Sequence, residues 1–201
     1  MLLSAIVYGQ ESDSLILVLS NESNLTISGT SNVNKFDCIL EQNFENDTLY
    51  IVTQNLGLNM YCENAITTFL INKFNCGHEA INQDFRQALR EEEFPAISLN
   101  VKSIYKPQYL SPNSESKEIK ATISLMLAGT KKEYTVDFKD NDIKPQKLCF
   151  SGEKTVKMSD FNIDPPKALM GLIKTRDDLS IRFDLQLILL KNSNTKSTVS
   201  K

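Results

Sequence analysis

The sequence predicts an all-β protein of antiparallel strands with one helix packed against them. Three observations carry that prediction: period-two alternation recurs along the chain, only one segment spaces its apolar residues as a helix does, and short polar links separate the alternating runs. A chain of 201 residues, 41% hydrophobic and 23% charged, has the balance of an ordinary globular domain. At this size folding buries about 70% of the unfolded surface, enough for one self-sufficient core.

The elements follow in order. Leu2 to Val7 is an apolar stretch too short for a full secretion signal and without a basic start, but small residues stand at Val7 and Gly9 where a signal peptidase needs them. Residues 1–9 are therefore expected to be the remnant of a signal peptide, with a first strand as the alternative, and 10–191 to form a single domain. Strands are expected near Leu15 to Leu19, at Leu25 and Ile27, at Phe36, Cys38 and Leu40, near Leu49 to Thr53, and near Ala65 to Asn72. Ile97, Leu99 and Val101 alternate with polar residues, and Ile119 to Leu127 does the same. So do Tyr134, Val136 and Phe138, then Leu148 and Phe150. The longest run, Leu179 to Leu189, interleaves Leu, Ile and Phe with Ser180, Arg182, Asp184 and Gln186. A dry face opposite a wet one marks antiparallel strands, since buried parallel strands read as unbroken apolar runs.

Turns are expected at Asn46-Asp47, at Gly129-Thr130 and at Asp140-Asn141-Asp142. From Glu79 to Glu93 the residues Ile81, Phe85, Ala88 and Leu89 fall at helical spacing, and Phe94-Pro95 ends the run, which predicts an amphipathic helix. Pro107 to Lys117, with two Pro and three Ser, reads as a long exposed loop, and the polar stretch 192–201 as a disordered tail. So many strands must stack as two sheets or close into a barrel, because one open sheet would leave its apolar face in water. A closed barrel of about eight strands is either filled by its own side chains or holds one small apolar ligand, and alternation alone does not choose.

Composition excludes several functions. With 22 basic against 25 acidic residues, a net charge of −3 and no basic block, nucleic acid is not an expected partner. No run of 18 apolar residues predicts a membrane-spanning helix. A single His leaves little for proton transfer or metal binding. That residue, His78, follows Cys76-Gly77 and reads as a surface residue before the helix more readily than as half of a thiol–imidazole pair. Glu91, Glu92 and Glu93 point in different directions on a helix and cannot converge on a cation. Asp160, Asp164, Asp177 and Asp178 have no spacing that names a general acid and base. Cys38, Cys62, Cys76 and Cys149 fit no metal spacing, and both disulfides and buried thiols remain open.

Several segments, taken in order, are similar to the YceI-like family of lipocalin-like barrels in the form common in Bacteroidetes. They are Leu25 to Cys38 with its Gly29-Thr30-Ser31 turn, Asn82 to Arg90 followed by Phe94-Pro95-Ala96-Ile97, Ile123 to Val136 around Gly129, and Met158 to Ile163 with Pro165-Pro166 and the strand Leu179 to Leu187. Asn162 stands where the family usually has Gly, and Lys157 where many members have Arg. The resemblance implies an extended antiparallel β-barrel of about eight strands, lipocalin-like, with the helix packed against it, lying in the periplasm or otherwise outside the cytoplasm. It implies a non-catalytic carrier whose lumen holds a polyisoprenoid, an isoprenoid quinone or a fatty acyl chain, with no other cofactor, and it is compatible with a homodimer. The candidate lining is Leu25, Ile27, Phe36, Ile97, Leu99, Ile123, Leu125, Tyr134, Val136, Phe138, Phe150, Ile181, Phe183 and Leu185. The resemblance also implies a disulfide between Cys38 and Cys76. The competing expectation is a structural or protein-interaction barrel with a filled core and no ligand.

Overall fold

The computed structural model describes residues 12–44, 48–56, 59–105, 118–144, 146–168, 170 and 172–195. Thirteen strands pair antiparallel in one strongly curled sheet: β1 (Ser12–Leu19), β2 (Asn24–Ser31), β3 (Lys35–Leu40), β4 (Thr48–Leu56), β5 (Asn59–Glu63), β6 (Ile66–Leu70), β7 (Phe74–Asn75), β8 (Ala96–Tyr105), β9 (Glu118–Leu127), β10 (Thr130–Lys144), β11 (Lys147–Lys157), β12 (Lys167–Ala168) and β13 (Ile173–Thr195). Several are halves of longer strands. β1 and β2 together run along β13, β3 and β4 run along β2 and β1, and β5 and β6 share β8 as their neighbour. β1 pairs with both β4 and β13, so the circuit β1, β4, β5, β8, β9, β10, β11, β13 returns on itself. The described residues thus form a strongly curled up-and-down barrel of eight long staves, closed through the β1–β4 and β1–β13 pairings but interrupted where β3 and β6 do not pair with each other.

The alternation seen in the sequence sets the register. Leu25, Ile27 and Gly29 oppose Phe183, Ile181 and Leu179 on the same inward face. Gly29 is needed there because the Phe36 ring lies over it: a Cβ would stand 2.4 Å from the ring. Where the ladder between the second and third staves lapses, the Gln42 side chain stands in, donating to the Thr68 carbonyl at 3.2 Å and accepting from the Leu70 amide at 2.8 Å.

Short elements close the end of the barrel that carries the β2–β3 and β9–β10 turns. The 3-10 turn Ile71–Lys73 and β7 lead into α1 (Glu79–Ala88), whose first turn is capped by His78 Nδ1 accepting from the Ala80 amide at 3.2 Å. Ile81, Phe85 and Ala88 pack on the core, with the Phe74 and Phe85 rings 5.3 Å apart. A second 3-10 turn, Met158–Phe161, buries Phe161 completely. It ends on Asn162 at φ 56°, in the left-handed region, which favours glycine and which asparagine tolerates better than most residues. Cys38 on β3 and Cys76 after β7 form a disulfide that ties this closure to a stave.

Four sequence expectations need correction or qualification. The helix stops at Ala88 and not at Glu93, because Arg90 turns left-handed (φ 53°); its guanidinium bonds the Ala128 carbonyl and lies 4.7 Å from the Phe94 ring. Asp140-Asn141-Asp142 is not a turn: β10 runs through it with a register shift between Asp140 and Asp142, an accommodation of one extra residue within the ladder. Leu70 ends β6, so the strand expected to reach Asn72 gives way to the 3-10 turn. β13 continues to Thr195, with Asn192, Ser193 and Asn194 paired to Leu15, Ser14 and Asp13, so the first four residues of the expected tail are strand, and the rest of it lies outside the described residues. The 1–9 signal remnant, the Asn46-Asp47 turn and the 107–117 loop lie outside the described residues.

Candidate functional site

The inward face of the barrel changes character along its axis. In the half nearest α1 and the Met158–Phe161 turn, Leu25, Ile27, Ile97, Leu99, Ile123, Leu125, Val136, Ile181 and Phe183 retain at most 2% of their surface. Side chains facing an open lumen would keep accessible area, so this half is filled by interdigitated residues. Toward the end with the β4–β5 and β10–β11 connections the same face loosens. Val101, Ile104, Phe150, Leu185 and Leu187 are half-buried and pack against the core only in part. Opposite them, Met60, Cys62 and Ala65 form a small second cluster that shares Val101 and Ile104 with the main one. Small residues, Ala121 and Gly152, stand in the same walls. The inward face is thus most tightly sealed at one end and less completely buried at the other, although Leu17 and Leu19, paired with Leu189 and Leu187, are buried there too.

The candidate lining therefore divides. Nine of the fourteen residues form the floor, and Phe138, 7% exposed, stands at its upper limit with its ring 6.1 Å from that of Phe183. Phe150 and Leu185, which oppose each other on β11 and β13, belong to the looser half. Phe36 covers Gly29 near the closed end. Tyr134 is half-buried at the level of the floor. Sequence reasoning missed Ile104, the next inward residue after Val101 on β8, because the register shift between Val101 and Ser103 moves the inward position from odd to even numbers. Met60 and Cys62 were missed because β5 is only five residues long, carries no branched aliphatic residue, and sets Tyr61 between its two inward residues, which blurs the dry–wet contrast.

One inward position breaks the apolar pattern. Lys154 on β11 opposes Ile181 and lies between Gly152 and Val156 on the inward register. It has room because β10 and β11 pair only from Phe138 and Gly152 upward; below that, Tyr134 to Asp137 and Glu153 to Lys157 face each other without a ladder. The Lys154 ammonium crosses this seam, donating to the Thr135 carbonyl at 3.0 Å and lying 5.7 Å from the centre of the Tyr134 ring. Tyr134 is flanked on its other side by Phe161, ring to ring at 6.2 Å, and its hydroxyl is sealed without a hydrogen-bond partner among the described residues. Burial, with a smaller contribution from the Asp160 carboxylate, holds the phenol above its ordinary pKa, so it remains a neutral donor.

The remaining polar groups do structural work. Asp177 accepts from the Ser159 amide at 2.8 Å and hydroxyl at 2.6 Å, fixing the 3-10 turn to β13; those bonds hold its carboxyl below the usual range. His78 caps α1, and Arg86 pairs with Glu79 at 2.6 Å. Among the described residues no three His, Cys, Asp or Glu side chains gather where they could hold a metal ion, and no helix is long and apolar enough to cross a membrane.

Residues 59–187, well over half of the chain, match the sequence model of the YceI-like domain. The chain belongs to the YceI-like family. The matched span covers β5 to the middle of β13, and so contains the seam, the Met158–Phe161 turn and most of the half-open wall. Among solved structures, this YceI-like chain is similar to BcnA of Burkholderia cenocepacia, with a TM-score of 0.53 at 15% identity over 84% of this chain and 98% of the other. It is also similar to a polyisoprenoid binding domain from Saccharophagus degradans implicated in plant cell wall breakdown, with a TM-score of 0.58 at 10% identity over 87% and 99%. At these identities the likeness speaks to the fold: an extended antiparallel barrel with one helix. No curated protein matches the chain in sequence.

Proposed function

We propose that this YceI-like protein binds and carries one lipophilic molecule, a polyisoprenoid, isoprenoid quinone or fatty acyl chain, in the half-open end of its barrel. The observation that carries the reading is the axial change on a single inward face: the same Leu, Ile and Phe pattern that is sealed at Ile181 and Phe183 is left half-exposed at Leu185 and Leu187. An apolar wall left unsealed inside a closed barrel is where a guest gains most from leaving water. Each methylene it buries contributes about 0.8 kcal/mol, so a dozen buried carbons supply roughly 10 kcal/mol gross, enough to offset association costs and leave micromolar affinity. The polyisoprenoid-binding structural neighbour supports the same class of ligand. A role outside the cytoplasm fits the Cys38–Cys76 disulfide, which persists in oxidising compartments. The chemistry asked of the protein is binding alone, with no catalytic group.

Native mass spectrometry of protein purified without detergent tests this. One equivalent of an apolar-chain molecule, released by organic solvent and identified in the extract, is the expected result. Repeatedly empty protein that also fails to take up a fluorescent fatty acid would favour the filled, ligand-free barrel instead.

A further inference from the structure

Two neighbouring hairpins at the α1 end of the barrel carry apolar side chains into solvent. Met170 and Leu172, in the connection between β12 and β13, are 107% and 75% exposed, and Val33, in the β2–β3 turn, is 63% exposed. We propose that this tip docks on an anionic lipid bilayer, its apolar side chains entering the interface while a collar of lysines meets the lipid phosphates. The inference goes beyond the carrier reading and stands without it.

Hydrogen bonds make the two hairpins one surface. Asn32 bridges them: its Nδ2 donates to the Leu172 carbonyl at 2.9 Å, its Oδ1 accepts from the Lys174 amide at 2.8 Å, and its own amide donates to the Lys174 carbonyl at 3.1 Å. The Ser31 hydroxyl oxygen accepts from the Val33 and Asn34 amides at 3.2 and 3.1 Å, which fixes the turn that presents Val33. Two further features cost stability while water surrounds the tip. Met170 holds φ 57°, in the left-handed region that a Met residue disfavours, and the turn projects its side chain wholly clear of the fold. Lys167 and Lys174 stand directly opposite each other in the β12–β13 pair, where like charges weaken a ladder. A bilayer answers both the exposed apolar surface and the opposed charges, since it covers the first and sets its phosphates between the second.

Charge selects a lipid surface over another apolar partner. The stretches 31–35 and 166–175, joined through the Ser31–Thr175 pair, contain Lys35, Lys167 and Lys174 and no acidic residue. All three lysines are exposed, and none pairs with a carboxylate among the described residues. Asp37, Asp164 and Asp177 are set back along the chain toward the barrel, and Ser28 and Ser159 engage the first and last of them. The whole chain carries a net charge of −3, so an anionic surface repels it in most orientations and attracts it tip first. A symmetric pair of chains meeting at the tip would instead press one lysine collar against the other. Lysine stems lie along apolar surface while their ammonium groups reach phosphate, which suits a collar around Met170 and Leu172. Because the tip shares its end of the barrel with α1, a docked protein turns its looser end to the aqueous side.

The test is flotation of the full chain with two kinds of vesicle, phosphatidylcholine alone and phosphatidylcholine mixed with phosphatidylglycerol. It compares the wild type with two double variants, Met170→Ser with Leu172→Ser, and Lys167→Gln with Lys174→Gln. The wild type should float with the mixed vesicles far more than with the neutral ones, and added salt should release it. Loss of the two lysines should weaken partitioning to the mixed vesicles about thirtyfold, the worth of two cations at an anionic surface. Loss of the Met170 and Leu172 side chains should weaken it about tenfold. Both variants change exposed residues, so their urea midpoints should match the wild type, or exceed it where the opposed lysines are removed. A Met170→Ser, Leu172→Ser protein that floats as the wild type does overturns the proposal. A wild type that floats with neither vesicle also overturns it, and if ultracentrifugation then shows a dimer that the same variant dissolves, a second copy of the chain is the occupant.

Discussion

Two leucine-class positions four residues apart on β13 should respond to truncation in opposite ways. Ile181 is 1% exposed and sits in the filled floor, so Ile181→Ala leaves a cavity among residues that cannot collapse into it and should cost about 2–5 kcal/mol of stability. Leu185, on the same inward face, is half-buried and already borders open space. Leu185→Ala removes three carbons whose surface is mostly buried, so the expected loss of stability is about 1–2 kcal/mol. The exposed remainder is what a guest can cover, and losing it should weaken binding by about 0.5 kcal/mol, or roughly twofold in Kd. Urea unfolding gives the first quantity and titration with a fluorescent fatty acid the second. If Leu185→Ala destabilises the protein as much as Ile181→Ala and leaves uptake untouched, the wall at Leu185 is part of a uniform core and the division of the barrel is mistaken.

Other consequences follow from particular contacts. The disulfide closes a loop with a sequence separation of 38, and loop-entropy arguments give about 4 kcal/mol for such a link. The urea midpoint of Cys76→Ser should accordingly fall to that of the reduced wild type, and equal midpoints for oxidised and reduced wild type would contradict this. Gly129 holds φ 77° in the two-residue β9–β10 turn, and a Cβ there would meet the Phe94 ring at 2.5 Å. Gly129→Ala should therefore lower stability by about 1–3 kcal/mol, measured by the same unfolding assay, and a neutral effect would mean the turn relaxes freely. Because Ser159 hydrogen bonds depress the Asp177 carboxyl, its contribution is present above the ordinary carboxylate pKa and is lost as the pH falls through the lowered value. Asp177→Asn should thus be less stable than the wild type at neutral pH and converge with it in acid; a gap that persists at low pH would point to a different cause.

The sequence showed the staves well where one face is plainly dry. Leu179 to Leu187 alternates without interruption, and the structure gives it the longest strand and a place between two neighbours. β5 was hidden because Met60 and Cys62 are its inward residues and neither forms an aliphatic rhythm. The register shifts in β8 and β10 were hidden for another reason: a bulge changes which parity faces inward, and nothing in the letters Val101 to Ile104 or Asp140 to Asp142 announces it. The end of α1 was misjudged because Arg90 is a good helix former whose left-handed turn is imposed by its contacts with Phe94 and Ala128, which lie elsewhere in the chain or on the next turn. The site was the least legible part. Ile181 and Leu185 are equivalent in any hydropathy pattern, and only the three-dimensional closure by α1 and the Met158–Phe161 turn makes one sealed and the other open. Lys154 reads as solvent-facing by every sequence criterion, and its inward register emerges only from the pairing with Ile181.

Methyl-resolved NMR of the protein titrated with a spin-labelled stearate addresses the central claim most directly. Bound in the half-open end, the label should broaden the methyl signals of Val101, Ile104, Leu185 and Leu187 while leaving those of Leu25, Ile27 and Ile97 sharp. Broadening confined to outward-facing methyls such as Ile66 and Ile188, or none at saturating lipid, would show that no guest enters the barrel.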